Sequence, residues 1–262
     1  HSDIDHYIAI FNANKDVNFY IHIDKKNQSL NLKVKDWDFD NVSVIDNPVK
    51  VYWGGYSQLL ATLSLIKRAY SNVDNTHFHL ISGECIPLIE FNKMNAEWVR
   101  NGNCLYMESL RRSDLDWRLN VKAPHSDTFL LRTFIGRVFN KLLKLLGNNL
   151  KLTSFDSNEY AFGSQWFSFT RHHASTILEY EKMNYFMRFK KISCADEHAF
   201  QMLFKKTEEN MCGNKRYIVF EYGKSSPRYV TKTELKKAKE NGFWFARKVK
   251  ENTFKEYFDY DL

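Results

Sequence analysis

The chain has 262 residues, 44% of them hydrophobic and 26% charged, and a formal net charge of +7. That is enough apolar material for one sizeable core, and no polar low-complexity tract, repeat or Pro-rich linker divides it. Disorder and repeat architectures are therefore excluded, and a single domain over 1–262 is the economical organisation.

In chain order, short β-rich runs fall at 18–24, 42–46 and 49–53, each bounded by Asn, Asp or Gly. Residues 57–70 (SQLLATLSLIKRAY) have helical spacing, with Leu59, Leu63 and Ile66 on one face and Ser57 placed to cap it. A strand at 77–81 runs into the Ser82-Gly83 turn, Pro87 is placed to open a helix, and 104–108 reads as another strand. Strands alternating with helices predict an α/β fold with a mainly parallel central sheet flanked by helices. Ligands of such sheets sit beyond the carboxyl ends of the strands. His22, Asp24, Asp46 and the Ser82-Gly83-Glu84 turn close those strands.

Residues 127–146 form a long basic amphipathic helix, with Arg137, Lys141 and Lys144 near one another at helical spacing. The pattern suits a packed helix with a solvated basic face, and equally a helix lying on a membrane surface. The second half then predicts a strand at 165–170, helices at 172–182 and 196–204, a strand at 217–220 and a helix at 232–239. An aromatic-basic segment, 242–248, follows.

A net positive charge suits nucleic acid, an anionic membrane surface or a phosphorylated substrate. Nucleic acid as a partner has no zinc-finger spacing, RNP-like motif or homeodomain-like helix to support it. Cys85, Cys104, Cys194 and Cys212 are scattered without a C-x-x-C pair, which predicts unpaired core cysteines of a reducing compartment. No apolar run approaches the ~20 residues of a spanning helix, and the first residues carry no signal-peptide pattern. A cytoplasmic placement is expected, with peripheral contact at the inner membrane through 127–146.

Aromatic residues make up 16% of the chain, a content that serves a core or the stacking of sugar rings. Transfer of a sugar from a nucleotide needs its leaving diphosphate neutralised, by a divalent metal on an Asp-x-Asp motif or by fixed cations. Asp-x-Asp matches occur at 36–38, 38–40, 114–116 and 259–261, none directly after an apolar strand. Arg228, Arg247 and Lys248 are candidate cations, set against a background of 38 Lys and Arg. Asp196-Glu197 could supply a general base, although acidic residues also collect at helix starts because of the dipole. Spacing does not separate these readings.

Six segments in order resemble the core-2/I-branching β-1,6-N-acetylglucosaminyltransferase family, which includes peptide O-xylosyltransferases and bacterial members. They are Tyr20-Ile21-His22-Ile23-Asp24-Lys25-Lys26, Val51-Tyr52-Trp53-Gly54-Gly55-Tyr56-Ser57, and Leu80-Ile81-Ser82-Gly83-Glu84-Cys85-Ile86-Pro87-Leu88. Gly163-Ser164-Gln165-Trp166-Phe167, Ala195-Asp196-Glu197-His198-Ala199-Phe200-Gln201 and Phe245-Ala246-Arg247-Lys248 complete the set.

The resemblance implies a GT-A-type fold without a metal-binding Asp-x-Asp, and an inverting transferase that uses a nucleotide-sugar donor and no cofactor or metal. It implies Glu197 as catalytic base and Lys248 on the donor diphosphate, with Arg228 sharing that contact across a small gap. His22 and Asp24 fall in the nucleotide pocket, Arg247 beside Lys248, and Glu108, Trp166, Phe220 and Tyr222 toward the acceptor. A donor-binding half, about 1–110, and an acceptor and catalytic half, about 111–262, follow. Where relatives often carry Asp in the S-G-x-D turn this chain has Cys85, and their apolar first strand would precede His1, leaving the opening of the sheet undefined. The membrane anchor and multiple disulfides of animal relatives have no counterpart, which points to a bacterial type of enzyme building a surface polysaccharide on a glycan or lipid-linked acceptor. A non-catalytic glycan- or nucleotide-binding protein on the same fold is the alternative.

Overall fold

The structure is a computed structural model that describes residues 4–224 and 226–258. In chain order its elements are α1 (Ile8–Ala13), β1 (Phe19–Ile21), α2 (Gln28–Lys35), β2 (Val42–Val44), α3 (Tyr56–Tyr70) and β3 (His77–His79). β4 (Cys85–Pro87), α4 (Phe91–Arg100), β5 (Leu105–Tyr106), α5 (Trp117–Asn120), α6 (Phe134–Asn149), β6 (Ser168–Thr170) and α7 (Arg171–Lys182) follow. The chain then forms α8 (Ala199–Lys206), β7 (Met211–Cys212), β8 (Arg216–Ile218), α9 (Lys232–Glu240), β9 (Phe245–Arg247) and α10 (Glu251–Phe258).

The strands make three small sheets, ordered β1-β2, β3-β6-β5-β7 and β4-β9-β8. β1–β2, β5–β7 and β8–β9 pair parallel, whereas β3–β6, β5–β6 and β4–β9 pair antiparallel. The pairing among the described residues is therefore mixed, not mainly parallel. The reason is topological: β6 inserts between β3 and β5, and β9 beside β4, so strands from 1–110 and 111–262 share sheets. Only the β1-β2 sheet is confined to one half; the other two draw strands from both.

Two apolar cores cover these sheets. Leu63 and Ile66 of α3, Phe78, Phe169, Ile177 and Phe200 belong to one; Met94, Trp98, Tyr106, Leu235, Trp244 and Phe254 belong to the other. Tyr106 and Trp244 meet edge-to-face at 4.4 Å, locking β5 onto the β9 side of the molecule.

Several local expectations are corrected. Gly55, not Ser57, is the residue before α3; Ser57 lies in the first turn, where its backbone N–H and hydroxyl both donate to the carboxylate of Asp127. A capping acceptor 70 residues away in sequence has no local signature. A side chain at Gly55 would place its Cβ 2.3 Å from that carboxylate, so glycine is required there. Pro87 ends β4, an edge strand whose ladder does not need its missing N–H; α4 begins four residues later. Residues 49–53 form no strand: the N–H groups of Val49 and Val51 are taken by side chains from the β1 end, as described below, and that of Tyr52 by the Ser57 hydroxyl. The helix at 127–146 is split into a 3₁₀ turn, Phe129–Arg132, and α6, capped by the Thr133 hydroxyl, which accepts from Gly136 N–H.

The expectation of four unpaired cysteines is also corrected. Cys104 and Cys212 form a disulfide with Cα atoms 6.0 Å apart. The parallel β5–β7 register pairs Leu105 with Met211 and Tyr106 with Cys212, which brings together two residues 108 apart in sequence. Such bonds persist chiefly in oxidising compartments, so the cysteines no longer argue for a reducing one. Cys85 and Cys194 are free and buried. No helix among the described residues is long and apolar enough to cross a membrane.

Candidate active site

A cleft of about 2570 Å³ opens where the ends of β1, β3, β5 and β9 converge with the turn before α8. At the β1 end, His22 Nε2 accepts a hydrogen bond from Val49 N–H at 2.8 Å, which leaves the ring proton of the neutral imidazole on Nδ1. Burial lowers the pKa of His22, so the neutral ring is favoured. Asp24 is buried, and its Oδ1 accepts from Lys26 N–H at 3.0 Å and Val51 N–H at 3.2 Å. Lys26 Nζ lies 3.3 Å from its other oxygen. These two side chains hold the 22–27 and 49–53 loops against each other, and both line the cleft.

The Gly163-Ser164-Gln165-Trp166 segment joins the remaining parts. Gly163 N–H donates to the carbonyl of Glu197 at 3.0 Å, and Ser164 N–H to the carboxylate of Glu108 at 2.9 Å. Gln165 accepts from Gln58 on α3, while Trp166 stacks under the Arg247 guanidinium at 4.9 Å. A Cβ on Gly163 would fall 1.9 Å from the Glu108 carbonyl oxygen, so only glycine permits this approach.

Glu197 ends a 3₁₀ turn, Ala195–Glu197, that precedes α8, not the first turn of an α-helix. Its side chain is 30% exposed to the cleft, and Arg118 Nη1 donates to its Oε2 at 2.8 Å. Burial works against the Arg118 charge, but the surrounding acidic groups, with Glu197 hydrogen-bonded to it, raise its pKa above the ordinary value. Arg118 escapes a reading of the sequence, since it sits 79 residues from Glu197 in the unremarkable run Trp117–Asn120. Neighbouring Asp196 is buried and its Oδ1 has no hydrogen-bond partner among the described residues. Burial, then the charge of Glu197, pushes its pKa up to about 8. Adjacent carboxyls thus differ in setting: Asp196 is enclosed, whereas Glu197 is paired with an arginine and faces the cleft.

Across the cleft lining, β9 delivers Arg247 and Lys248, both largely buried. Glu84, from the Ser82-Gly83-Glu84 turn, lies 3.2 Å from Lys248 Nζ and 3.8 Å from Arg247, and accepts from the Tyr229 hydroxyl at 3.0 Å. Arg247 also donates to Ser82 Oγ. The fixed cations therefore already hold one internal anion.

Arg228 is a correction. It does not line the cleft; its guanidinium grips Glu234 on α9 at 2.9 and 2.5 Å, and Glu234 completes a capping box with Thr231. The arginine has been captured by a helix cap, and Arg247 takes the place beside Lys248. Tyr222 is a second correction: the Glu221–Lys224 turn carries it fully into solvent, away from the cleft, while Phe220 lines it with an exposed ring. Glu108 and Trp166 line the cleft. Of the Asp-x-Asp matches, Asp114 and Asp116 are engaged by Arg112 and Arg111, and Asp36, Asp38 and Asp40 stand off the cleft. Asp259 and Asp261 lie outside the described residues.

All six motif segments contribute to this one cleft. A comparison with curated proteins finds no match. The family model described as Core-2/I-Branching enzyme matches residues 5–243, from just before α1 to the threshold of β9 and so across nearly every wall of the site. The chain belongs to the Core-2/I-branching enzyme family, a family of glycosyltransferases.

Proposed function

We propose that the protein is an inverting, metal-independent glycosyltransferase that moves a sugar, GlcNAc in the first instance, from a UDP-sugar to a hydroxyl of a glycan or lipid-linked saccharide. Bacterial surface polysaccharide is the setting that fits the family resemblance. The observation that supports this reading is the sharing of one cleft by a carboxylate held by an arginine, Glu197, and a cation pair, Arg247 and Lys248.

Glu197 takes the proton of the acceptor hydroxyl as its oxygen attacks the anomeric carbon. The bond from that carbon to the diphosphate oxygen breaks, and UDP leaves with the electron pair. Arg247 and Lys248 meet the charge that develops on the departing diphosphate, each contact contributing about 2–4 kcal/mol to transition-state stabilisation. Attack from the face opposite the leaving group turns an α-linked donor into a β-linked product. His22 and Asp24 keep the loops of the nucleotide pocket in place, and Trp166 and Phe220 offer aromatic faces to sugar rings.

The reading is tested by nucleotide release from a panel of UDP-sugars in excess chelator, with products identified by mass spectrometry. Full turnover with at least one donor is expected. Loss of activity restored by manganese would contradict metal independence, and UDP binding without turnover of any donor would favour a binding protein instead.

A further inference from the structure

α6 touches the rest of the protein along a narrow stripe. Gly136, Leu143 and Gly147 are its buried residues, with half-buried Asn140 between them. Leu143 packs with Trp117, Val121 and Ala123, and Gly147 lets the helix backbone approach that support, since a Cβ there would lie 2.7 Å from the Trp117 carbonyl oxygen; Gly136 instead lies against Leu130 of the preceding 3₁₀ turn. The apolar side chains of α6 mostly point elsewhere. Phe134 is 75% exposed, Ile135 73%, Leu145 64% and Leu142 58%, and Val138, Phe139 and Leu146 are exposed beside them.

At about 100° per residue these seven side chains cover an arc of roughly 140° on the solvent side. Arg137, Lys141 and Lys144 occupy a neighbouring arc of about 60° along one flank. Phe129 extends the apolar surface at one end, Leu150 and Leu152 at the other. The packed-helix alternative accounts only for the buried stripe. An exposed apolar face this continuous on a soluble surface marks an interaction site.

The charge pattern selects the occupant. Residues 128–155 contain five Lys and Arg and no Asp or Glu. A second copy of the chain would cover the apolar arc but crowd the two basic flanks together. An anionic bilayer satisfies both, taking the apolar arc at the headgroup–acyl boundary and the basic flank at lipid phosphates. We infer that α6, with the preceding 3₁₀ turn, docks the protein on an anionic membrane surface. Phe129, Arg132 and Arg137 also line the cleft, so docking brings one rim of the site to the headgroup layer.

Co-sedimentation of the full chain with phosphatidylcholine vesicles, with and without phosphatidylglycerol, tests this. Binding is expected to the anionic vesicles, to weaken sharply in high salt, and to be poor on neutral ones. Phe134→Ser/Leu142→Ser/Leu145→Ser should lower partitioning at least about a hundredfold, and Arg137→Gln/Lys141→Gln/Lys144→Gln roughly tenfold or more. Circular dichroism and nucleotide release with a soluble acceptor should stay at wild-type values in the Ser variant, which separates docking from catalysis. Failure of the wild type to pellet, pelleting of the Ser variant as well as wild type, or a wild-type dimer in sedimentation velocity that the Ser variant abolishes would each overturn the inference.

Discussion

A carboxylate that must take up a proton inside a cleft is caught between burial, which disfavours its charge, and cationic neighbours, which favour it. Asp196 and Glu197 settle this differently. Asp196 is enclosed and rises to about 8, while Glu197 keeps partial exposure and an arginine. Arg118 is thus a positioning residue for the proposed base. Arg118→Met is expected to lower kcat by about 10–100-fold, through loss of alignment, with little change in donor KM; steady-state kinetics reads the split. For Asp196 the sign follows from linkage. An unfolded aspartate titrates near 3.9, so between about pH 4 and 8 the folded state retains a proton that the unfolded state has lost, and this group's contribution to stability declines as pH rises. Thermal melts of wild type and Asp196→Asn from pH 5 to 8 should show their difference moving in the variant's favour with rising pH; a constant difference would contradict the raised pKa. At this scale the cleft positions of Glu197 and Lys248 were legible because each sits in a short motif. Arg118 was not, because its partner is distant in sequence. Arg228 was misread because its competitor Glu234, six residues on in a capping box, is a local attraction that motif alignment ignores.

Elements follow the same division between local and distant causes. α3 has the periodicity that makes a helix readable, and α7 and α9 have local capping boxes. β4 and the extended 49–53 segment do not, since their states depend on a ladder partner or on side chains from elsewhere. The Gly163–Trp166 segment couples β5, the Glu197 turn, α3 and Arg247. Gly163→Ala should therefore force the backbone off Glu108 and cost about 1–3 kcal/mol in denaturant melts. The Ser82-Gly83-Glu84 turn presents an anion to the cations assigned to diphosphate. Glu84→Gln should remove that competitor and tighten UDP binding several-fold by calorimetry; weaker binding would show that Glu84 organises the cations instead. The β5–β7 disulfide carries its own check: thiol titration of the denatured chain should find two free cysteines before reduction and four after.

For the whole molecule, an α/β fold with its site at strand ends was readable from alternating patterns, but the mixed pairing was not. Hydrophobic runs specify that a strand exists, whereas its neighbours are fixed by long-range packing such as Tyr106 on Trp244. That interleaving matters for function: β1, β3 and β5 from one half and β9 with the α8 turn from the other close around a single cleft. In the proposed mechanism the acceptor proton is taken within that cleft by Glu197. Turnover of Glu197→Gln at saturating donor and acceptor measures this most directly. A loss of about 10²–10⁴-fold with UDP binding retained is the predicted result, and turnover equal to wild type would contradict it.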